Sequence, residues 1–453
     1  MSRFLALSIL ILLPVQCLSQ TLQEKIGQMV MVGFGTNQTA KDSLLFDIQH
    51  RNLGGSLFLG YNVKNPSQIK SLNTELQSQA ATPLFLAIDQ EGGIVARLDE
   101  SNGYKETYNH YQLGTEFDSE DSTRAVAALM AGWLNDAGFN MNLAPVVDVN
   151  VNPHSPAIGG KDRSFSNDEY NVYLHASWFM DEFHKLNIAT SLKHYPGHGS
   201  ALEDSHNGFT DITDTWEDRE LDPFKFIIEN GYSDAIMTGH LFNENWDTKY
   251  PASLSHYAIT TILRDSLGFD GVVISDELFM DAIENNYGLD EAIVETINAG
   301  TDILLFSTNL YNGKSLPGFI ISLVTEKVND GTISNETIDE AYNRIMDLKD
   351  LRIITGNEDY EPIADLPKNI SVSNYPNPFN PVTTISVTLE KSSEVSVRIA
   401  NSVGQIVQNL EKSRWSAGTH TFRFDASNYA SGVYFVMLDT DNNRQVHKML
   451  LLK

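Results

Sequence analysis

Between Met29 and Ser307, short apolar runs alternate with charged segments of helical spacing, the pattern of repeated βα units around a parallel sheet. The runs predict eight strands: Met29 to Phe34, Gly55 to Leu59, Pro83 to Asp89, Met141 to Val149, Ala189 to His194, Ala235 to His240, Gly271 to Asp276 and Asp302 to Ser307. Several end on a polar or ionisable residue, namely Asp89, Asp148, His194, His240 and Asp276. The carboxyl ends of barrel strands are where a (β/α)8 enzyme places its chemistry. A doubly wound open sheet shares the alternation, but eight units in a region of this length favour closure into a barrel.

Helical spacing returns over Asp339 to Leu351, and then Ile354 to Lys368 loses periodicity and becomes rich in Gly, Pro, Asn and acidic residues, which reads as a linker. Beyond it the period changes to two. Strands are predicted over Thr384 to Leu389, Val395 to Ile399, Gln405 to Gln408, Thr419 to Phe424, Val433 to Leu438 and Gln445 to Leu452. The expected fold class is therefore α/β: a (β/α)8 TIM-type barrel followed by a small all-β, sandwich-like module. The expected boundaries are 1–19 for a leader, 20–355 for the barrel, 356–369 for the linker and 370–453 for the module.

Composition narrows the function classes. With 42% hydrophobic residues the chain can bury a sizeable core. Lys and Arg total 31 against 59 Asp and Glu, a net charge of -28 that repels phosphate backbones and anionic lipid surfaces, so nucleic-acid binding is not expected. Cys17 is the single cysteine, which excludes an internal disulfide framework or a multi-cysteine metal centre. It lies in a stretch with a basic Arg3, an apolar run from Phe4 to Leu13 and a small residue, Ser19, before Gln20: the layout of a secretory signal peptide. Lipid attachment at Cys17 is a second reading, opposed by the bulky Gln16 where a small residue is expected. The apolar run is short against a bilayer core of about 30 Å, and no membrane span is expected.

The densest polar cluster is Lys193-His194-Tyr195-Pro196-Gly197-His198-Gly199 with Asp204-Ser205-His206, starting at the end of the fifth predicted strand. A metal centre on His194, His198 and His206 is one reading, since imidazole is a common transition-metal ligand. The spacing opposes it, because Pro196, Gly197 and Gly199 disfavour the helix that would put His194 and His198 on one face. A polar loop whose histidines only satisfy hydrogen bonds is another. Carboxylates also end the third and seventh strands, Asp89 and Asp276, and either alone could be a helix N-cap.

Taken together, these segments resemble glycoside hydrolase family 3, in its β-N-acetylglucosaminidase branch. The resemblance rests on Asp89-Gln90-Glu91-Gly92-Gly93 with Arg97, Arg163-Ser164-Phe165-Ser166, Lys193 to Gly199 with Asp204-Ser205-His206, Met237-Thr238-Gly239-His240, and Ser275-Asp276. It implies Asp276 as nucleophile, His206 as acid/base oriented by Asp204, and Asp89, Arg97, Arg163, Lys193 and His194 as hydrogen-bonding partners of the sugar. Retaining glycosidases need a carboxylate to attack the anomeric carbon and a proton donor for the leaving oxygen, usually a second carboxylate. A histidine can donate instead, because its pKa lies near neutrality and a carboxylate such as Asp204 would stabilise the imidazolium. Lys193, Arg97 and Arg163 would keep Asp89 and Asp276 ionised. No metal or other cofactor is expected.

The C-terminal module resembles the sorting domain of the type IX secretion system, through Asn374 to Pro381 with Thr383-Thr384-Ile385, Ala430 to Phe435, and Lys448 to Lys453. A carbohydrate-binding or adhesive module is the alternative. The combined expectation is an exported enzyme, secreted or held at the cell surface after signal-peptide export. It would meet a glycan substrate and the type IX machinery, and remove terminal β-linked N-acetylglucosamine from peptidoglycan or chitin fragments. The alternatives are a family 3 β-glucosidase, a glycoside phosphorylase, or a catalytically silent sugar-binding surface protein.

Overall fold

The computed structural model describes residues 20–205, 208–231, 234–354, 370–377, 379–389, 392–401, 406–416, 418–440 and 444–453. The leader over 1–19 and the linker over 356–369 lie outside these residues. The chain divides into two compact units, the first ending at Glu358.

Eight strands form the first unit's sheet: β1 (Val30–Val32), β2 (Gly55–Phe58), β3 (Phe85–Ile88), β4 (Met141–Asn142), β5 (Ala189–Tyr195), β6 (Ala235–Thr238), β7 (Val272–Ser275) and β8 (Leu304–Phe306). Neighbours run parallel in the order β7-β6-β5-β4-β3-β2-β1-β8. The ends of that order meet through an Ile274–Ile303 bridge, in which Ser275 N donates to Ile303 O at 2.9 Å. The sheet is thereby closed into the expected (β/α)8 barrel. Its strands are buried along their whole length, since helices cover one face and side chains fill the other, and this is why they read as unbroken apolar runs.

The helices carry their own start signals. Helix α1 (Leu22–Gln28) begins with a Thr21–Glu24 capping box, α2 (Gln38–Arg51) is capped by Asn37, and α3 (Pro66–Ser78) by Asn65 with Pro66 in its first turn. Ser119, Asp168 and Ser334 likewise cap α4 (Glu120–Ala137), α5 (Glu169–His184) and the helix Asn335–Lys349, which covers most of the helical spacing read over Asp339 to Leu351.

Most strands are a few residues shorter than the apolar runs, and one falls far short. The run from Met141 to Val149 pairs as a strand only over Met141–Asn142. Pro145 has no N–H to give the ladder, and beyond it the segment holds on through single bonds such as Val147 N to Lys193 O at 2.8 Å. That irregular stretch delivers Asp148 to the barrel mouth.

The second unit is a sandwich. One sheet is β9 (Ile370–Tyr375), β10 (Val382–Leu389) and β13 (Gly418–Asp425); the other is β12 (Ile406–Trp415), β11 (Ser393–Asn401), β14 (Gly432–Thr440) and β15 (Arg444–Leu451). Ile385 and Val387 from the first sheet pack in one apolar cluster with Val397, Ile399, Val436 and Met449 from the second. The two strands least legible in the sequence, β9 and β12, are sheet edges. An edge strand carries polar and charged positions, Glu411 and Lys412 in β12, and so loses its alternation. The Asn374 to Pro381 motif is a structural corner. Asn374 donates to Thr383 Oγ1 at 2.9 Å, Asn377 accepts Leu450 N at 2.8 Å, and the Phe379 ring is buried in the core.

Candidate active site

Asp89 stands immediately after β3, Lys193 and His194 lie at the end of β5, and Asp276 follows β7, so the carboxyl ends of three strands place them around one mouth. Arg97 follows a short hairpin, Gln90–Gly92 against Val95–Ala96. Gln90 fixes it from below, its Oε1 accepting Arg97 N at 3.0 Å and Leu98 N at 2.9 Å. Arg163 arrives from the connection between β4 and α5. These six residues line a single cavity of about 420 Å³, in the size range of small-molecule sites.

The floor is an ion network. Lys193 Nζ bridges Asp89 Oδ1 and Glu91 Oε1, each at 2.8 Å. Arg163 grips Glu91 with two parallel bonds, Nε to Oε2 at 2.9 Å and Nη2 to Oε1 at 2.8 Å, and Arg97 Nη2 reaches Asp89 Oδ2 at 3.3 Å. Burial works to raise the carboxyls of Asp89 and Glu91. Lys193 and Arg97 outweigh it at Asp89, and Arg163 and Lys193 hold Glu91 well below the usual carboxylate range. Burial likewise opposes the Lys193 charge, yet Asp89 and Glu91 lift its pKa above the ordinary value.

His194 is oriented by a residue on the irregular stretch after β4. Buried Asp148 faces His194 Nδ1 at 2.7 Å and also accepts the backbone N–H groups of His194 and His198, at 3.1 and 2.8 Å. This network assigns the proton to Nδ1, so Nε2, 3.4 Å from Arg163 Nη2, presents an acceptor. His198 takes a different part. Its ring is buried and burial pulls its pKa down to about 4, so it is a neutral strut that meets Ser205 Oγ at 3.3 Å.

Asp276 is nearly buried, and its Oδ1 accepts Glu277 N at 2.8 Å. The Glu277 carboxyl also lines the cavity. Burial lifts its pKa, against a hydrogen bond from Ser307 N. His240 supports this wall from behind, with Nδ1 2.7 Å from Ser253 Oγ and Nε2 2.9 Å from Glu277 O. Asp204 accepts Lys161 Nζ at 2.9 Å, and Lys161 itself lines the cavity, so Asp204 adjoins the same mouth. His206 lies outside the described residues.

Three participants were given no role by sequence reasoning: Glu91, Lys161 and the His194-orienting Asp148. Glu91 carried a usable signal, because in an extended segment Asp89 and Glu91 point to one side and two carboxylates so placed need cations. Lys161 carried none, since its partner is distant in sequence.

A polar, carboxylate-bearing mouth on a closed eight-stranded parallel barrel defines the chain as a (β/α)8-barrel protein with its site where such enzymes keep theirs. The chain belongs to glycosyl hydrolase family 3: residues 21–348 match the family's N-terminal domain, and residues 373–452 match a secretion system C-terminal sorting domain. It is similar to β-hexosaminidase A of Pseudoalteromonas piscicida, 33% identical over 325 residues, which cover 67% of this chain and 54% of the relative. It is also similar to a β-hexosaminidase of Photobacterium profundum, 33% identical over 58% of this chain and 77% of that one. Among solved structures, a family 3 β-N-acetylglucosaminidase from Paenibacillus sp. aligns at TM-score 0.68 with 35% identity, over 74% of this chain and 63% of that chain. A β-N-acetylhexosaminidase from Beutenbergia cavernae aligns at 0.66 with 26% identity, over 73% and 99%. The chain spans about half the length of the Pseudoalteromonas relative. The sorting domain marks the chain for secretion or the cell surface, and among the described residues no helix is long and apolar enough to cross a membrane.

Proposed function

We propose that the barrel is a retaining exo-β-N-acetylglucosaminidase that removes terminal β-linked N-acetylglucosamine from peptidoglycan or chitin fragments. One observation carries the reading: Asp276 lies at the end of β7, on the wall of a cavity whose other strand ends supply Asp89, Lys193 and His194. In this mechanism Asp276 attacks the anomeric carbon while His206, oriented by Asp204, protonates the leaving oxygen. Water, deprotonated by the same imidazole, then releases the sugar. Asp89, Arg97, Arg163, Lys193 and His194 bind the sugar hydroxyls, with the ionised Asp89 as acceptor. The sandwich over 370–453 serves as a type IX address, the leader over 1–19 carries the chain across the inner membrane, and 356–369 links barrel to address.

A panel of aryl β-glycosides with and without the 2-acetamido group, assayed with phosphate varied, tests the reading. The N-acetylglucosaminide is expected to be the best substrate, with free sugar rather than sugar phosphate as product. A preference for glucosides, or phosphate-dependent release of sugar phosphate, would overturn it. His206→Ala provides a second check. A nitrophenolate leaves unaided whereas a sugar alkoxide needs a proton, so kcat/KM should fall by roughly a hundredfold on disaccharides and only slightly on nitrophenyl substrates. Equal losses on both would mean that His206 shapes the site and that another group donates the proton.

A further inference from the structure

The loop that leads to the proposed acid/base rests on a carboxyl with no cation beside it. Glu220 belongs to a single 3-10 turn, Asp218–Leu221, that runs into the helix Asp222–Glu229, and its side chain is buried. Among the described residues no lysine or arginine pairs with it. Its two oxygens take backbone N–H groups instead: Oε1 accepts Glu217 N at 3.2 Å, closing its own turn, and Oε2 accepts Ser200 N at 3.1 Å. A buried carboxyl without a cation moves toward its neutral form. Burial, with the Asp148 charge acting the same way, lifts Glu220 to about 7 against these hydrogen bonds.

The loop is held between two elements. Gly197, at φ 123°, packs so closely that a Cβ on it would fall 2.6 Å from Glu220 Cβ. A Cβ on Gly199 would fall 1.7 Å from Val149 O and 3.4 Å from Glu220 Oε2. The turn after β5 therefore runs in a slot between Glu220 and the irregular stretch after β4, which is why glycine stands at both positions. From the β4 side, Asn152 N donates to Gly199 O at 3.0 Å and Asn152 Nδ2 to Ala201 O at 3.3 Å. From Ser200 the chain runs on to Asp204, bound by Lys161, and to Ser205, whose Oγ meets His198 Nε2 at 3.3 Å. His206 is the next residue.

We propose that Glu220 is a positioning residue for the acid/base: by accepting Ser200 N it fixes the start of the segment 200–206, and with it the approach of His206 to the leaving oxygen. This rests on the glycosidase reading above. Glu220 is not among the residues lining the cavity, so it acts through the loop and not on the sugar. Proton transfer in the transition state needs the donor within hydrogen-bond reach of the leaving oxygen, and a loop released at its root loses that placement before the floor of the cavity is disturbed.

The test compares kcat/KM of the full chain for N,N′-diacetylchitobiose, whose leaving sugar needs a proton, and for nitrophenyl β-N-acetylglucosaminide, whose leaving group does not. Glu220→Met keeps the volume and removes the acceptor. It should lower kcat/KM roughly thirtyfold on the disaccharide and no more than about threefold on the nitrophenyl substrate. Glu220→Gln should stay within about threefold of the parent on both, because its amide oxygen can serve the buried Ser200 N and leave the part-buried Glu217 N to water. Glu220→Asp, one methylene short of Ser200, should show the same selectivity as the methionine variant in smaller measure, about fivefold, and decides the matter if Glu220→Met does not fold. In a His206→Ala background Glu220→Met should add no further selectivity, since the group it positions is gone. Equal losses on both substrates in variants of unchanged melting temperature, or a glutamine variant as impaired as methionine, would overturn the proposal; so would a selectivity that persists without His206. Two controls separate the levels. If the parent does not turn over the nitrophenyl substrate, or His206→Ala strikes both substrates alike, the glycosidase reading or its acid fails, and this inference with it; if both controls hold, an overturning result removes only the role of Glu220.

Discussion

Asp276→Asn is expected to fold as the parent does and to lose kcat by roughly four orders of magnitude, which is about 5.5 kcal/mol of barrier. The amide is isosteric with the carboxylate and can still accept the hydrogen bond that Glu277 N makes to Oδ1 at 2.8 Å, so the local structure has little reason to change. What disappears is the negative oxygen that attacks the anomeric carbon, and a neutral amide does not replace it. Loss of kcat at an unchanged melting temperature, together with mass-spectrometric detection of a 2-fluoro sugar on Asp276 of the parent, would establish the nucleophile. A label on another carboxylate, or an asparagine variant keeping a tenth of parental activity, would remove Asp276 from that role.

Lys193→Met should cost about 3–5 kcal/mol of stability and lower kcat/KM by two to three orders of magnitude, because it strips a buried cation from two carboxylates at once. The pH dependence distinguishes this from a simple packing defect. Asp89 and Glu91 are held below their ordinary values by Lys193, Arg97 and Arg163, so their contribution to stability is present above the unfolded carboxylate range near pH 4. It is lost as pH falls through the depressed native values. Lys193 itself, with a raised pKa, contributes fully below about pH 10 and loses that contribution only at higher pH. Removing the lysine lets both carboxyls rise, and protonation in acid then relieves the stranded charge. The stability difference between variant and parent, measured by urea denaturation, should be greatest near pH 7 and shrink toward pH 4. A difference independent of pH over that range would mean that Lys193 acts through packing and not through its charge.

The barrel and its strand ends could be read from the sequence because both are local. A parallel strand covered on two faces must be continuously apolar, so Phe85 to Ile88 and Val272 to Ser275 announce themselves, and the first polar residue after each, Asp89 and Asp276, marks the mouth. Two of the sandwich's four edge strands, β9 and β12, were less legible, because solvent and not a core selects many of their residues. Composition and sequence pattern alone thus determined the eight strands of the barrel, the all-β character of the module and the address of the candidate chemistry, but not the module's first strand, Ile370–Tyr375. The tertiary structure decided which charges meet. Lys193 finds Asp89 across 104 positions, Arg163 finds Glu91 across 72, and Asp148 reaches His194 across 46 after Pro145 has released the chain from the sheet. Pairings of this kind leave no periodicity along the chain. They exist because closing the barrel brings distant strand ends together in a space with little water, where each buried charge must find an opposite one.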